Sequence, residues 1–186
     1  MFIKVANSEG KNIINPEELS KIKMEFLDVV DENDNAVGKA SMDEIYAERL
    51  PHRIVHILIF NDKGKLALQM RSKYKSFCPQ HWSTPVGGHV QSGESYEEAA
   101  MREFEEELGT KVPITQIRKD FYTDVKGNKK FLATFKAVFN GPFNLNSEEV
   151  ERIEFFGLDE IKKMIAKGEK FHPELLFLLK KQLDIV

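Results

Sequence analysis

Glu103, Glu106 and Glu107 stand at helical spacing inside the stretch GHVQSGESYEEAAMREFEEELG, residues 88–109. On a helix, residues three and four apart share one face. Like charges so placed repel and weaken an isolated helix. A divalent cation would turn that repulsion into a binding site, because hard cations prefer carboxylate oxygens. By itself a run of glutamates on a helix is more often a solvated face. The loop ahead of it shifts the balance. Gly87 and Gly88 allow the backbone to approach a ligand closely. Arg102 is placed to reach back to Glu94 at the helix entrance.

The helix that must carry these groups is well marked. Ser95 and Glu98 form a capping box, in which each side chain satisfies a free N–H at the helix start. Ala99, Ala100, Phe104 and Leu108 make an apolar stripe at helical spacing. Gly109 is a natural stop, since glycine accepts the left-handed conformation beyond a helix end. The three glutamates flank the stripe and face outward or into a cleft.

Around this unit the pattern predicts alternating strands and helices. A short helix is expected over Pro16–Lys21. A hairpin follows, from Met24–Val30 through the polar turn 31–35 to Ala36–Ala40, and Ser41 caps a short helix ending before Pro51. His52–Phe60 reads as a buried strand by its β-branched content. Asn61-Asp62-Lys63-Gly64 reads as a turn into a strand over Lys65–Arg71, and residues 73–82 as a loop. Ile114–Thr123 and Lys130–Phe139 read as a hairpin, Arg152–Phe156 as a strand, and Leu158–Ala166 and Glu174–Leu183 as amphipathic helices. Together they predict a mixed α/β (α+β) sandwich of sheet and helices. We expect residues 24–186 to form one domain with its core over about 50–160, preceded by an extension, residues 1–23.

Composition bounds the function classes. The 186 residues carry 27 basic and 30 acidic side chains, a net charge of −3, which does not suggest a nucleic-acid groove or an anionic membrane as partner. The single cysteine, Cys78, permits no internal disulfide. No signal peptide or membrane span is apparent, so a soluble cytoplasmic protein is expected.

The 88–109 stretch resembles the Nudix box, Gly-x5-Glu-x7-Arg-Glu-U-x-Glu-Glu-x-Gly-U, where U is a bulky apolar residue. Gly88, Glu94, Arg102, Glu103, Phe104, Glu106, Glu107 and Gly109 match, and Thr110 departs from the final apolar position. The resemblance implies a loop–helix–loop that binds Mg2+ or Mn2+ and hydrolyses a small-molecule diphosphate joined to another group. Cations there would neutralise the phosphates and activate water. Glu103, Glu106, Glu107 and a carbonyl at Gly87 or Gly88 become the expected metal ligands. Arg102 is expected to orient Glu94 or a catalytic glutamate, with Gly88, Glu94 and Gly109 shaping the motif. The general base is open between Glu106 and a later loop glutamate, Glu148 or Glu149, with Glu149 preferred. Arg71, His89 and Trp82 are the expected substrate contacts, and Phe77 and Tyr122 are further aromatics able to stack. His89 also reads as a solvent-facing loop residue, and aromatics near sheets are commonly core. Homodimers are common in the family.

The likeness extends to the isopentenyl diphosphate isomerase branch, through His52-Arg53, Gln69-Met70-Arg71-Ser72 and Trp82-Ser83-Thr84. Within it, the isomerase's catalytic cysteine falls on Gly87 and its metal-binding histidine on His89. Its two acidic residues fall on Asn128 and Lys130, and a further histidine on Ile45. Protonating an alkene requires the acid pair, so hydrolysis is expected and isomerisation is not. A non-catalytic binding module on the same scaffold is the other alternative, and the intact glutamates weigh against it.

Overall fold

The structure, a computed structural model, describes residues 25–183. The expected helix over 16–21 and the extension 1–23 lie outside them.

The first elements form a small unit. Strands β1 (Phe26–Val30) and β2 (Ala36–Ser41) pair antiparallel as a two-stranded sheet. Their turn is held by Asp31, whose Oδ1 accepts the N–H groups of Asn33 and Asn35, both at 2.9 Å. Such local bonds are why Asp initiates turns. Ser41 and Glu44 form a capping box for helix α1 (Met42–Glu48). Leu27, Ala40 and Ile45 make its buried apolar contacts.

The main sheet has seven strands. Its centre is β3 (His52–Phe60), buried on both faces, as a near-continuous apolar run requires. Strand β4 is Leu66–Arg71, β5 Trp82–Ser83 and β6 Val86–His89. Helix α2 (Tyr96–Leu108) is followed by β7 (Ile114–Thr123), β8 (Lys129–Val138) and β9 (Val150–Phe156). Helices α3 (Leu158–Ala166) and α4 (Pro173–Leu183) complete the described chain. The order is β5-β4-β3-β8-β7, with β6 paired to β3 and β9 to β4.

Two pairings decide where the site lies. Strand β8 runs parallel to β3, from His52↔Lys130 to Phe60↔Val138. Strand β6 pairs antiparallel with β3, setting Gly87 beside His56 and Gly88 beside Val55. The expected turn at 61–64 forms, but the strands beyond it part after the single pair Phe60↔Leu66. Strand β4 instead takes β9 as its partner along Leu66–Arg71. Helices cover both faces, as expected. On one face Ala99, Ala100, Phe104 and Leu108 of α2 pack on Val55, Ile57 and Ile59. On the other, Ile161, Leu175 and Leu179 of α3 and α4 pack on Leu58, Leu66 and Leu68. Alternation along a strand therefore sends odd residues of β3 toward α2 and even ones, including His56, toward α4.

The β1–β2 turn is tied to the main sheet through Asp34. Its side chain, 6% exposed, binds Arg53 of β3, Lys119 of β7 and the Tyr96 hydroxyl of α2. Burial acts to raise its pKa, but the hydrogen bonds from Lys119, Arg53 and Tyr96 outweigh this and hold it below the usual carboxylate range. Asp34→Ala strips two cations and a phenol of their partner. It is expected to cost about 3–5 kcal/mol, the scale for breaking a buried pair, measured by urea denaturation. A loss below the ~0.5 kcal/mol typical of surface changes would show that the hairpin is not anchored there.

Candidate active site

The helix α2 is built as its sequence dictates. Ser95 and Glu98 cap its start, and Gly109, at φ 67°, ends it in the left-handed conformation. The buried stripe faces the sheet, so the carboxylates at 103, 106 and 107 fall along one side of α2.

Arg102 ties this face to the preceding loop. Its guanidinium donates to both oxygens of Glu94, at 2.7 and 2.9 Å. It also donates to Glu103 Oε1 at 2.7 Å, to the His89 carbonyl at 3.0 Å and to Glu106 Oε2 at 3.3 Å. Glu94 in turn accepts the Gln91 N–H at 2.9 Å. The Glu94 hydrogen bond leads in holding the Arg102 pKa above its ordinary value. Burial acts to raise the Glu94 pKa, but Arg102 prevails and Glu94 stays ionised below its usual range.

Gly88 lies against Glu103, and a β-carbon at 88 would overlap that carboxylate. Burial, followed by competing effects of Arg102 and Glu106, leaves the Glu103 pKa raised. Glu107 is more isolated. Its Oε2 is sealed from solvent with no hydrogen-bond partner. Burial, then the charges of Glu103 and Glu149, push its pKa well above the usual value. Glu106 is largely exposed.

All three glutamates line a cleft of about 1390 Å3 with Gly88, Arg71, His89 and Glu149. An unpartnered buried carboxylate oxygen beside two more carboxylates is the donor set a hard divalent cation requires. These residues therefore fit such an ion. Among the described residues no three acidic, His or Cys side chains are already gathered into a metal-ready cluster. Glu103 instead bonds to Arg102.

Gly88→Ala should leave the fold intact, because Glu103 is a flexible side chain able to move aside. It should lower divalent-cation affinity about 10- to 100-fold, the scale for disturbing a ligand's support. Titration calorimetry with Mn2+ checks this, and unchanged affinity would remove Glu103 from the site.

The other expected contacts divide. Of the two loop glutamates, Glu149 lines the cleft, where Lys75 pairs with it at 3.1 Å. His89 lines the cleft and its Nε2 meets the Tyr46 hydroxyl at 2.9 Å. Its ring stacks on His52 with centroids 5.5 Å apart. Burial first, then His52 and Lys130, lower the His89 pKa to about 4, so it is neutral at pH 7. Arg71 lines the cleft, but it also donates to the Phe77 and Cys78 carbonyls and braces the 72–81 loop.

Trp82, expected to contact the substrate, does not line the cleft. Its indole is buried in the core under α3 and α4, donates to Glu169 at 2.9 Å, and packs on Phe156. As the first residue of β5 it points where the sheet needs apolar filling. Tyr122 likewise packs on Phe177, while Phe77 lines the cleft.

A second group of cleft residues escapes the sequence reading. His56 Nε2 lies 2.9 Å from Glu174 Oε2, and Lys130 Nζ donates to Glu174 Oε1 at 2.6 Å. His56 Nδ1 lies 2.9 Å from the Thr84 hydroxyl. Burial acts to raise the Glu174 pKa, but His56 and Lys130 hold it far below the usual range. The one local signal was a histidine in the middle of the apolar run of β3.

A helix-borne glutamate cluster, pinned by an arginine to a glycine loop and facing a cleft beside a mixed sheet, defines a phosphate-handling hydrolase of the loop–helix–loop kind. The NUDIX domain family model matches residues 50–179, and the chain belongs to the Nudix family. It is 36% identical over 154 residues to an uncharacterized Nudix hydrolase of Yersinia pestis, covering 82% of each chain. It is 34% identical over 160 residues to one from Pseudomonas aeruginosa, covering 86% of this chain and 94% of that one. The crystal structure of DR0079 from Deinococcus radiodurans matches with a TM-score of 0.74 at 27% identity, over 84% of this chain and 98% of that one. The protein is thus a Nudix hydrolase, acting on pyrophosphate bonds in a diphosphate-containing small molecule. Among the described residues, no helix is long and apolar enough to cross a membrane.

Proposed function

We propose that the enzyme is a metal-dependent hydrolase of a nucleoside diphosphate derivative or related diphosphate. The observation that carries this is the sealed, unpartnered Oε2 of Glu107, beside Glu103 and Glu149 in the cleft. Glu103, Glu106, Glu107 and the Gly88 carbonyl would hold Mg2+ or Mn2+, and such an ion would supply neutralisation of the phosphates and a lowered pKa for water. Arg102 fixes the loop against the helix and favours the ionised form of Glu103 against the effect of burial. Glu149 is the base that takes the water's proton, with Glu106 as the group able to share that work. Arg71 and His89, a neutral donor at pH 7, meet the substrate.

The chain fits the hydrolase arm of the isopentenyl diphosphate isomerase-like branch. Gly87 stands where the isomerase thiol would be, and a β-carbon there would lie 2.8 Å from His56 Nδ1. Lys130, at one of the two acidic positions, is committed to Glu174. Ile45 is buried core. These residues leave no acid pair to protonate an alkene. We place the enzyme in the cytoplasm.

A panel of diphosphates, incubated with Mg2+ and followed by phosphorus NMR, tests this reading. It predicts cleavage of a phosphoanhydride in at least one member and no interconversion of the two C5 diphosphates. Interconversion, or tight binding without cleavage across the panel, would contradict it.

A further inference from the structure

We infer that the β1–β2 hairpin is a positioning element of the metal site, with Asp28 and Asp34 as its positioning residues. Through Gly93 and Tyr96 they fix the loop that carries Glu94. This rests on the cation-binding reading of the α2 glutamates above and extends it to residues that touch neither cation nor substrate.

Residues 91–94 form a tight turn between Gly88 and α2, and each of its four backbone N–H groups has a partner. Two of the partners lie within the turn. Gln91 donates to Glu94 Oε2 at 2.9 Å, and Glu94 donates to the Gln91 carbonyl at 3.0 Å. The other two lie on the hairpin. Ser92 donates to the Phe26 carbonyl at 2.7 Å, and Gly93 donates to Asp28 Oδ2 at 3.4 Å. Leu27 pairs with Gln91 as an antiparallel bridge, and the Gln91 side-chain amide donates to Glu25 at 3.3 Å. Beyond the turn, the Tyr96 hydroxyl lies 3.0 Å from each oxygen of Asp34. Tyr96 is the first residue of α2, so Asp34 holds the helix at the end where the loop enters.

Forming α2 does not call for these contacts. Ser95 and Glu98 already cap the helix, and its apolar stripe already packs on the sheet. What the hairpin adds is a fixed position for the turn. That position matters because both oxygens of Glu94 hold Arg102, and Arg102 holds Glu103 and the His89 carbonyl. A slack turn would let the whole set drift, and a misplacement of about 1 Å can cost about 100-fold in rate.

The hairpin is itself placed by the strand that carries the glycine pair. Arg53 of β3 pairs with Asp28 at 3.4 Å and with Asp34 at 2.7 Å, and its carbonyl accepts the Val90 N–H at 3.1 Å. Two residues along β3, Val55 stands beside Gly88. Hairpin, turn and glycine strand are therefore all referenced to one short stretch of β3.

Titration calorimetry with Mn2+ on the full chain tests this. Tyr96→Phe removes the link to Asp34 and keeps the ring in the core. Asp28→Ala removes the acceptor of the Gly93 N–H. The double variant should bind Mn2+ about tenfold or more weakly than the wild type, the lower end of the range for losing a ligand's outer support. Binding is read well below each variant's Tm, where lost stability leaves the folded population, and so Kd, unmoved.

Two comparisons separate positioning from other causes. Lys119→Met takes from Asp34 a partner on β7, away from the loop, and should not weaken Mn2+ binding. Asp28→Asn removes the charge but keeps an oxygen that can accept from Gly93. Combined with Tyr96→Phe, it should bind Mn2+ more tightly than the Ala double variant. Wild-type affinity in the Ala double variant overturns the proposal. An equal loss in the Asn version, the mark of a charge effect, overturns it too, as does an equal loss in Lys119→Met, the mark of general loosening. If the double variant fails to fold, the two single variants are compared instead, and wild-type affinity in both overturns the proposal. If the wild type itself binds no Mn2+, the cation reading is what failed. Positioning is then read in the metal-free protein by hydrogen exchange at residues 90–94. Faster exchange in the double variant than in the wild type and Lys119→Met sustains it, and equal exchange overturns it.

Discussion

Glu107→Gln is expected to lower the hydrolysis rate by roughly two to four orders of magnitude while stabilising the metal-free protein. The two effects share one cause. Glu107 has a carboxylate oxygen with neither solvent nor a hydrogen-bond partner. With a cation present that oxygen is a ligand. Without one it is a buried charge repelled by Glu103 and Glu149. The amide keeps the shape, removes the charge and ligates poorly.

The sign with pH follows. Burial, then the neighbouring carboxylates, raise the folded pKa of Glu107 well above its ordinary 4.5. This group's contribution to stability is therefore full below about 4.5 and is lost as pH rises through the raised value. With chelator present, the wild type should lose stability across that window relative to Glu107→Gln, which cannot titrate there. Each 1 kcal/mol should appear as roughly 2–4 °C in Tm for a chain of this size. Melting curves at a series of pH values, beside initial rates with Mg2+, check both halves. A variant with near-wild-type rate, or one less stable than wild type above the window, would remove Glu107 from the metal set.

The second large effect belongs to Arg102. Arg102→Met should cost about 2–4 kcal/mol, somewhat below the roughly 3–5 kcal/mol for breaking a fully buried ion pair, because the side chain is 21% exposed. It leaves Glu94 and Glu103 without their cation and the His89 carbonyl without its donor. The rate should fall at least about 100-fold, since Glu103 and the Gly88–His89 backbone lose their common support. Arg102→Lys keeps the charge but cannot reproduce a fork that grips both oxygens of Glu94 while reaching Glu103. It should recover less than half of the lost stability and little of the rate. Urea denaturation and steady-state kinetics of the two variants decide this. Wild-type behaviour of Arg102→Lys would show that charge alone matters.

What could be read in the sequence was what short-range chemistry writes there. The α2 helix announces itself through Ser95, Glu98, its apolar stripe and Gly109, all within one window. The match of that window to the Nudix box marked Gly88, Arg102 and Glu103 as parts of one motif, but the packing of Gly88 against Glu103 appears only in the fold. The pairings that build the cleft are long-range. Nothing local tells β4 to leave β3 after one pair and join β9, or β8 to run parallel to β3. The His56–Glu174 contact spans 118 positions and Lys130–Glu174 spans 44, so each residue taken alone looks unremarkable. Trp82 misled for the opposite reason. It stands near the loop in sequence, yet strand alternation sends it into the core.

The central claim is that the glutamate face of α2 acts through a divalent cation. It is tested most directly by following phosphate release from a diphosphate substrate with protein stripped by chelator and then resupplied with Mg2+. The account predicts no release above background in the stripped protein and full recovery on adding Mg2+. Undiminished release from the stripped protein would contradict it.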